Sequence, residues 1–395
     1  MPSAYVLDNG AYNIKVEHSH AAEPKLIPNC IMKAKSEKRR LFIGDQIEEC
    51  RDASGLFYLL PMNKGLIVHW DLQKTVWDYI LSKDCCPANF AETPCIFMEP
   101  YFNFASIQEG VAEIFFEEYE CQSFLRIPTG DLAEYHYRKL NPTAPCCLVI
   151  DSGYSFTHVA AYINGKREPK ATKRINVGGK VLTNHLKEII SYRQLNVMEE
   201  TFVMNQVKED CCFVSQDTKA DFAKCKLKYP QNDIVREYIL PDFTTLRRGY
   251  VHTLDQPPVV EQQKLRMNNE RFSVPEILFH PSDVSIPQIG IAELVHHCVE
   301  LCPEEARSHL YRNIVVTGGT ALLPGFVDRL YKDVRALASE EYDIKITLPK
   351  NPITYSWEGG KLISKDPEFY SFVVTKEEYY EEGPIILMER FDGVS

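Results

Sequence analysis

Two short apolar runs, far apart in the chain, each end in an aspartate and a tight turn. The run at 5–7 leads into Asp8 and an Asn-Gly pair, and the run at 148–150 leads into Asp151 and a Ser-Gly pair. A second strand-like run follows each turn, around Lys15 in the first case and at 157–162 in the second. Such turn pairs between apolar runs are strong hairpin signals. Two hairpins of one pattern, each opening a mixed β/α region, predict a duplicated architecture.

Strand-like and helical periodicity alternate in the rest of the chain. The segment NKGLIVHWDLQKTVWDYIL predicts a strand and turn followed by an amphipathic helix. ETPCIFMEPYFN predicts a buried strand, and SIQEGVAEIFFEEYEC predicts a helix with acids on one face. This alternation indicates the α/β class.

Two glycine pairs stand where helices are predicted to begin. Gly178 and Gly179 precede the amphipathic run VLTNHLKEII, and Gly318 and Gly319 join a strand at 314–316 to a helix beginning near Pro324. Backbone N–H groups at a helix N-terminus can hold phosphate, although a glycine pair also permits an ordinary tight loop. The second pair fits neither P-loop nor GxGxxG spacing, so those two nucleotide-binding folds are not expected.

Composition and charge limit the function without fixing it. The chain of 395 residues is long enough for about two to three domains. A net charge of −11 argues against nucleic-acid binding over the whole surface, but not against local basic patches or basic partners such as histones. The start of the chain lacks the pattern of a secretory leader, and no apolar run reaches about 18 residues, so we expect no membrane span.

The cysteines indicate a reduced protein. There are thirteen, including adjacent pairs at 85–86, 146–147 and 211–212, and no CxxC pair occurs. Neighbouring cysteines rarely bridge each other, and the spacing of a zinc site is missing. We therefore expect buried thiols in an intracellular protein.

Two segments are candidate contact surfaces. A loop at about 30–45 carries the basic side chains Lys33, Lys35, Lys38, Arg39 and Arg40. Such a run is usually a solvated loop, and the alternatives are a nuclear import signal or a tip that touches DNA. The stretch from about 215 to 267 is polar and weakly periodic, which indicates an inserted, partner-facing or mobile segment, or a disordered surface loop.

The two aspartates can serve one site if the hairpins face each other. A hairpin tip brings backbone N–H groups toward phosphate oxygens. Asp8 and Asp151 can hold Mg²⁺ through water, because Mg²⁺ keeps much of its hydration shell. Lys15 can neutralise phosphate charge. The pattern therefore predicts a cleft between two lobes that closes on Mg-ATP.

These motifs resemble those of the actin family, within the superfamily of actin, hexokinase and Hsp-type chaperones. LDNGAYNIKV is similar to the first phosphate loop of actin and IDSGYSFTHV to the second. NERFSVPEILFHPS, NIVVTGGTALLPGFVDRL and YSWEGGKLIS resemble later actin segments, in the same order. The resemblance covers almost the whole chain. It implies an α/β fold of two ribonuclease-H-like lobes around a nucleotide cleft, one formed by 1–128 and 354–395 and the other by 129–353.

The resemblance also implies which residues hold the nucleotide. The expected positions, from the first phosphate loop through the second to the base and ribose and then the opposite wall, are Asp8, Asn9, Gly10, Ala11, Lys15, Asp151, Ser152, Gly153, His158, Gly179, Lys208, Glu209, Gly318, Gly319 and Leu322. Asp8 and Asp151 would hold Mg²⁺ through water. No catalytic residue is implied.

Several positions depart from the actin pattern. Ala11 replaces a serine of the first loop, and Tyr154 and Ser155 replace an aspartate and a glycine of the second. The glutamine with which actin positions water falls on or beside Pro128, and its adenine-side lysine falls near Ile353. Losing one group that orients a reacting water typically costs about 10²-fold or more in rate. We therefore expect slow hydrolysis or none.

With these divergent loops, the chain most resembles a branch of actin-related proteins that are subunits of SWR/SRCAP-type chromatin remodellers, which place a variant core histone into nucleosomes. The resemblance implies a non-filamentous scaffold in the nucleus that binds ATP structurally and is not an enzyme. Its implied partners are the remodelling ATPase subunit and a zinc-finger HIT-type subunit, with histones or nucleosomes contacted indirectly. It also suggests links to heterochromatin proteins, the nucleolus and the cytoplasm.

Two other functions remain open at this point. An actin-like ATPase, either a filament-forming cytoskeletal protein or a chaperone-like machine, would hydrolyse ATP well above background. A sugar-type kinase of the same superfamily would need a carboxylate base between the lobes, which the sequence does not identify.

Overall fold

Strands and helices alternate along the residues that the computed structural model describes, which are 3–37, 40–257 and 262–392. The strands are β1 Tyr5–Asp8, β2 Asn13–His18, β3 Lys25–Pro28, β4 Ile31–Lys33, β5 Leu41–Ile43, β6 Phe57–Leu59, β7 Met62–Asn63, β8 Leu66–Ile67, β9 Cys95–Glu99, β10 Ser123–Pro128, β11 Cys146–Ser152, β12 Thr157–Ile163, β13 Lys166–Ile175, β14 Arg236–Ile239, β15 Tyr250–His252, β16 Lys264–Met267, β17 Ile314–Thr317, β18 Ile346–Thr347 and β19 Val374–Thr375. The helices are α1 Trp70–Ile80, α2 Ala105–Glu113, α3 Thr129–Leu140, α4 Gly179–Arg193, α5 Thr201–Cys211, α6 Thr218–Cys225, α7 Glu270–Ser273, α8 Ile291–Glu300, α9 Glu304–Arg312, α10 Phe326–Leu337, α11 Tyr355–Ile363, α12 Phe369–Phe372, α13 Lys376–Glu382 and α14 Ile385–Asp392.

Two large sheets repeat one arrangement. The first has the order β19-β10-β9-β1-β2-β3 and the second has the order β13-β12-β11-β17-β18. In the first sheet β1 pairs antiparallel with β2 and parallel with β9. In the second, β11 pairs antiparallel with β12 and parallel with β17. The apolar strands β1 and β11 therefore lie inside their sheets, buried on both faces. This duplication confirms the predicted actin-like α/β fold.

Each large sheet has its own hydrophobic core. Core residues of the first sheet come from 4–132 and 357–391, and those of the second come from 146–338. The C-terminal part of the chain returns to the first sheet, where the Trp357 Nε1–H donates a hydrogen bond to the Val6 carbonyl at 3.1 Å. A smaller cluster that includes Tyr101, Tyr162 and Tyr355 joins residues of both regions.

The stretch from 215 to 267 contains more regular structure than its sequence indicates. It holds α6 and the three strands β14, β15 and β16, which form a separate sheet. Tyr238, Leu265 and Met267 are fully buried in the second core. The alternative of a disordered surface loop is therefore wrong for the described part, while residues 258–261 lie outside it. The strands were missed because each is only three or four residues long, too short for a periodic signal.

The basic loop is partly tied to other residues of the chain. Lys35 Nζ lies 2.6 Å from Glu199 Oε2, and Arg40 pairs with Glu49. Lys33 is exposed. Lys38 and Arg39 lie outside the described residues. Two of the described basic side chains thus have acidic partners within the chain.

The cysteines agree with the expected reduced state. All thirteen are free, and all are buried except Cys85 and Cys225, which are half-buried. Among the described residues, no helix is both long enough and apolar enough to cross a membrane.

Candidate functional site

A cavity of about 790 Å³ lies between the two hairpins that end β1 and β11. The structure brings most of the predicted nucleotide-binding residues to its wall, namely Asp8, Asn9, Gly10, Ala11, Lys15, Asp151, Gly153, Gly179, Lys208, Glu209, Gly318, Gly319 and Leu322. A cavity of this volume is within the range of ordinary ligand pockets. Residues separated by up to about 300 positions therefore meet at one place.

The first hairpin places an ion pair on the cavity wall. Asp8 lies opposite Lys15 in the β1–β2 register, and Lys15 Nζ is 3.0 Å from Asp8 Oδ2. At Gly10, a Cβ would lie 2.5 Å from the Asn13 carbonyl oxygen and 3.0 Å from Lys15 Nζ, so the turn requires glycine for this close approach. The Trp77 indole N–H donates to Asn9 Oδ1 at 3.1 Å, which fixes the tip against the first core.

The second hairpin places the Asp151 carboxylate on the cavity wall, and its charge is less well balanced by a neighbouring cation than that of Asp8. Burial raises the pKa of Asp151 to about 6, the Lys15 ammonium and the Thr317 hydroxyl oppose the rise, and the Asp8 carboxylate adds to it. Asp8 and Lys15 therefore both act on Asp151 across the cleft. Gly318 adopts φ +91°, and a Cβ there would lie 2.2 Å from the Ser152 carbonyl oxygen. Only glycine allows this strand end to approach the hairpin so closely.

A second lysine lies at the other end of the cavity. The buried Lys208 ammonium donates to Asn205 Oδ1 at 2.8 Å and to Thr183 Oγ1 at 3.1 Å. Burial lowers the pKa of Lys208, while the neighbouring Glu209 carboxylate opposes this change. The exposed Glu209 accepts a hydrogen bond from Asn205 Nδ2 at 2.7 Å. These polar groups of α5 can meet the sugar and base of a nucleotide.

Two predicted residues do not line the cavity. Ser152 is fully buried, with its Oγ 3.0 Å from Thr157 Oγ1. The His158 ring is also buried, 4.1 Å from the centroid of the Phe156 ring and 5.2 Å from that of Tyr101. Burial lowers the pKa of His158 well below its ordinary value, so the imidazole stays neutral. Its Nε2 has no hydrogen-bond partner among the described residues.

The departures from the actin pattern are also located at this site, with one exception. Ala11, Tyr154, Ser155 and Ile353 all line the cavity. Pro128 does not. It ends β10 and precedes the first residue of α3, where it offers no side-chain donor or acceptor.

The cavity wall also includes residues that were not predicted from the sequence, of which Tyr12 and Glu99 are two. Tyr12, at the tip of the first hairpin, lies 4.9 Å from Tyr154 between ring centroids. The sequence feature that could have identified Tyr12 is a bulky side chain two positions after the Asn-Gly turn. Glu99 ends the buried strand β9 and pairs with the buried Arg126 at 3.2 Å. The sequence feature that could have identified Glu99 is the one that identified the two aspartates, namely an acid at the end of an apolar strand.

The charges of the wall fit a polyphosphate only together with a cation. The ionisable acids lining the cavity are Asp8, Asp45, Glu48, Glu99, Asp151 and Glu209, and the bases are Lys15, Lys208 and Arg248. The acids thus outnumber the bases, and a polyphosphate alone would be repelled. No group of three or more His, Cys, Asp and Glu residues in the described ranges forms a metal site by itself. Two carboxylates and the phosphate oxygens of a ligand, completed by water, do suit Mg²⁺.

Comparison with known proteins agrees with the fold and the cleft. A model of the Actin family matches residues 2–392. The chain therefore belongs to the actin family, whose members generally bind nucleotide. Within that family it is an actin-related protein. It is similar to Actin-related protein 6 of Drosophila melanogaster, with 46% identity over 385 residues that cover 96% of this chain and 97% of that protein.

Further relatives come from fungi and plants. Actin-like protein ARP6 of Cryptococcus neoformans var. neoformans serotype D is 37% identical over 99% of this chain and 84% of that protein. Actin-related protein 6 of Oryza sativa subsp. indica is 32% identical over 98% of each chain. The predicted resemblance to one branch of the actin-related proteins is confirmed.

Proposed function

We propose that this actin-related protein binds ATP with Mg²⁺ in the cleft as a structural ligand and hydrolyses it slowly or not at all. The observation that carries the proposal is the meeting of both hairpin carboxylates and Lys15 at one cavity of about 790 Å³. Mg²⁺ would neutralise the phosphates, with Asp8 and Asp151 holding it through water.

Each wall of the cavity has a separate part in binding. The Lys15 ammonium, already 3.0 Å from Asp8, is placed to meet a phosphate oxygen. Lys208 and Glu209 of α5 are placed for the sugar and base. Gly319 and Leu322 supply the opposite wall, beside the apolar Ile353.

Two observations support slow hydrolysis. The water-positioning glutamine of actin falls on or beside Pro128, which has no side-chain donor or acceptor and lies outside the cavity wall. The imidazole of His158 is covered by Phe156, a residue of the cavity wall whose ring lies over it at 4.1 Å between centroids, tilted by 34°. Neither residue can therefore accept a proton from a water beside a phosphate. A nucleotide that is not cut still stabilises the fold, by about 4 kcal/mol when its concentration exceeds the dissociation constant 1,000-fold.

Nucleotide content is the direct test. The purified full-length chain is denatured, and the released nucleotide is identified by chromatography. We expect close to one ATP per chain, and a rise in melting temperature when Mg-ATP is added to nucleotide-free protein. A phosphate-release assay should give turnover near the uncatalysed background.

A charge-matched pair of variants sharpens this test. Lys15→Met removes the ammonium that faces the phosphates, whereas Lys74→Met removes a half-buried ammonium outside the cleft that pairs with Asp78 and Glu118. We expect the first variant to lose ATP-dependent stabilisation and the second to keep it. Empty protein with no response to Mg-ATP, or equal loss in both variants, would contradict structural binding in this cleft.

We propose further that the protein acts in the nucleus as a non-filamentous scaffold of a SWR/SRCAP-type remodeller that exchanges a variant core histone. Membership of the actin-related proteins and the divergent phosphate loops support this proposal. The tagged chain should co-purify from nuclear extract with a remodelling ATPase subunit and a zinc-finger HIT-type subunit. Recovery without such subunits would oppose the scaffold.

The filament-forming alternative predicts a different behaviour of the isolated chain. Sedimentation with Mg-ATP at increasing protein concentration should leave the chain in the supernatant if it is a scaffold. A concentration-dependent pellet, together with phosphate release well above background, would favour an actin-like ATPase instead.

A further inference from the structure

We propose that Tyr12 and Tyr154 form an aromatic contact between the two lobes that retains the nucleotide in the cleft. The inference rests on the nucleotide-binding function proposed above and assigns the residues that limit release of the ligand. Neither tyrosine is among the residues expected from the sequence to bind nucleotide.

The contact joins the tips of the two hairpins. Tyr12 lies in the turn between β1 and β2, and Tyr154 lies in the turn between β11 and β12. Their ring centroids are 4.9 Å apart with an interplanar angle of 37°, and both residues line the cavity. Tyr12 is also 41% exposed, which places it at the rim, between the cavity and solvent. The two rings therefore close one side of the cleft at the level of the phosphate loops.

Both tyrosines are anchored independently of their contact. The Asn29 backbone N–H donates to the Tyr12 carbonyl at 2.8 Å, and the Lys180 N–H donates to the Tyr154 carbonyl at 2.9 Å. Asn205 Nδ2 donates to the Tyr12 hydroxyl at 3.0 Å. These hydrogen bonds already order the backbone of both tips. The two rings can therefore meet without the entropy cost of ordering either tip.

The hydrogen bonds of Asn205 connect the contact to the nucleoside end of the site. The same amide accepts from Lys208 Nζ and donates to Glu209, as described above. Burial raises the pKa of Tyr154 to about 12, so its phenol is neutral at physiological pH.

Other contacts between the lobes differ from this one in burial. Lys35 and Glu199 form an ion pair with both side chains about 70% exposed. Such pairs are screened by salt and contribute little. On another side of the cleft, the Arg174 guanidinium donates to the Lys64 carbonyl at 2.7 Å. The tyrosine contact joins two rings that line the cavity and reaches its rim, and so it opposes ligand release directly.

The rate of nucleotide release tests this contact. Full-length protein is loaded with 1,N6-etheno-ATP and Mg²⁺, and release is followed by fluorescence after addition of excess ATP. Aromatic pairs contribute enough that loss of the ring in Tyr12→Leu or Tyr154→Leu should speed release roughly three- to tenfold. Tyr12→Phe keeps the ring and loses only the bond from Asn205, so its release rate should stay within about twofold of wild type.

The double variant distinguishes one shared contact from two separate effects. If the rings act together, Tyr12→Leu combined with Tyr154→Leu should release the probe no faster than the faster single variant. Multiplication of the two single effects would overturn the proposal. So would unchanged release in both leucine variants when the probe still binds, and that result would leave the nucleotide-binding function intact.

A second measurement separates failure of the contact from failure of the function. The same double-mutant cycle is measured by urea unfolding of nucleotide-free protein. A coupling between the two substitutions shows that the rings bridge the lobes, and no coupling overturns the contact. If wild-type protein binds no probe at all, both the nucleotide function and the retention of ligand are refuted, whatever the unfolding cycle shows.

Discussion

The two hairpins that face the cleft share a backbone pattern and differ in how their carboxylates are compensated. In the first, Asp8 has the Lys15 ammonium on the neighbouring strand at 3.0 Å. In the second, the residue opposite Asp151 is His158, whose buried ring stays neutral. The pKa of Asp151 is accordingly raised to about 6. One hairpin thus carries its own counter-charge, and the other depends on a charge from across the cleft.

This difference explains why the charges that line the cleft are unbalanced. A duplicated backbone does not duplicate electrostatics, because each carboxylate responds to the side chain opposite it in the register. The cation that we propose at Asp151 would relieve this imbalance. The second hairpin is therefore where ligand binding and stability are most closely linked.

The largest expected effect concerns the strand end that supports the second hairpin. Gly318→Ala forces a side chain into φ +91°, 2.2 Å from the Ser152 carbonyl oxygen. We expect the free energy of unfolding to fall by about 2–4 kcal/mol, from backbone strain and overpacking. Urea unfolding measures it. The adjacent Gly319→Ala is the control, since its nearest neighbour, Ile353, lies 3.8 Å away. Equal losses in both variants would contradict the explanation.

Removal of the Lys15 ammonium, which acts on both aspartates, should affect both hairpins. Lys15→Met leaves Asp8 without its ion-pair partner and raises the pKa of Asp151 further. We expect the nucleotide-free protein to lose about 1–3 kcal/mol of unfolding free energy at pH 8. Lys74→Met, which removes a half-buried ammonium with two carboxylate partners outside the cleft, should change it by less than about 1 kcal/mol. If both variants unfold at the same urea concentration, Lys15 does not compensate the two carboxylates.

The pH dependence of stability should separate the two aspartates. The pKa of Asp151 is raised from 3.8 to about 6, so the folded chain holds this proton more tightly than the unfolded chain. Its ionised form therefore destabilises the fold above about pH 6, and the cost disappears as pH falls toward 4. Asp151→Asn, neutral throughout, should stabilise nucleotide-free protein by about 1–2 kcal/mol at pH 8 and by less at pH 5.

Asp8→Asn provides the comparison for that measurement. It removes the partner of Lys15, so it should destabilise the protein at pH 8 where Asp151→Asn stabilises it. The unfolding free energies of both variants and wild type are measured between pH 5 and 8. The same sign for both variants would show that the hairpins are compensated alike.

The smallest effect is expected at the outer edge of the cleft. Lys35→Ala removes the exposed pair with Glu199, and the unfolding free energy should stay close to that of wild type at physiological salt, because solvent screens such a pair. Repetition at 0.5 M NaCl should reduce the difference further. A loss as large as that of Lys15→Met would mean that this surface contact, rather than the inner cleft, holds the lobes together.

The sequence by itself determined the repeated local pattern of this protein. Apolar runs ending in Asp8 and Asp151, each with a small-residue turn, specify buried strands and hairpins through short-range geometry. The glycine pair at 318 could likewise be located, because its strand, turn and helix are contiguous. The resemblance to the actin family then supplied the order of the remaining segments.

Only the tertiary structure decided what surrounds these groups. The contact of Tyr12 with Tyr154, the covering of His158 by Phe156 and the raised pKa of Asp151 all depend on distances between residues far apart in the chain. The short strands at 236–267 became visible in the same way, through burial against the second core. Burial and charge interactions fall off within a few ångströms, and a sequence pattern does not give those distances.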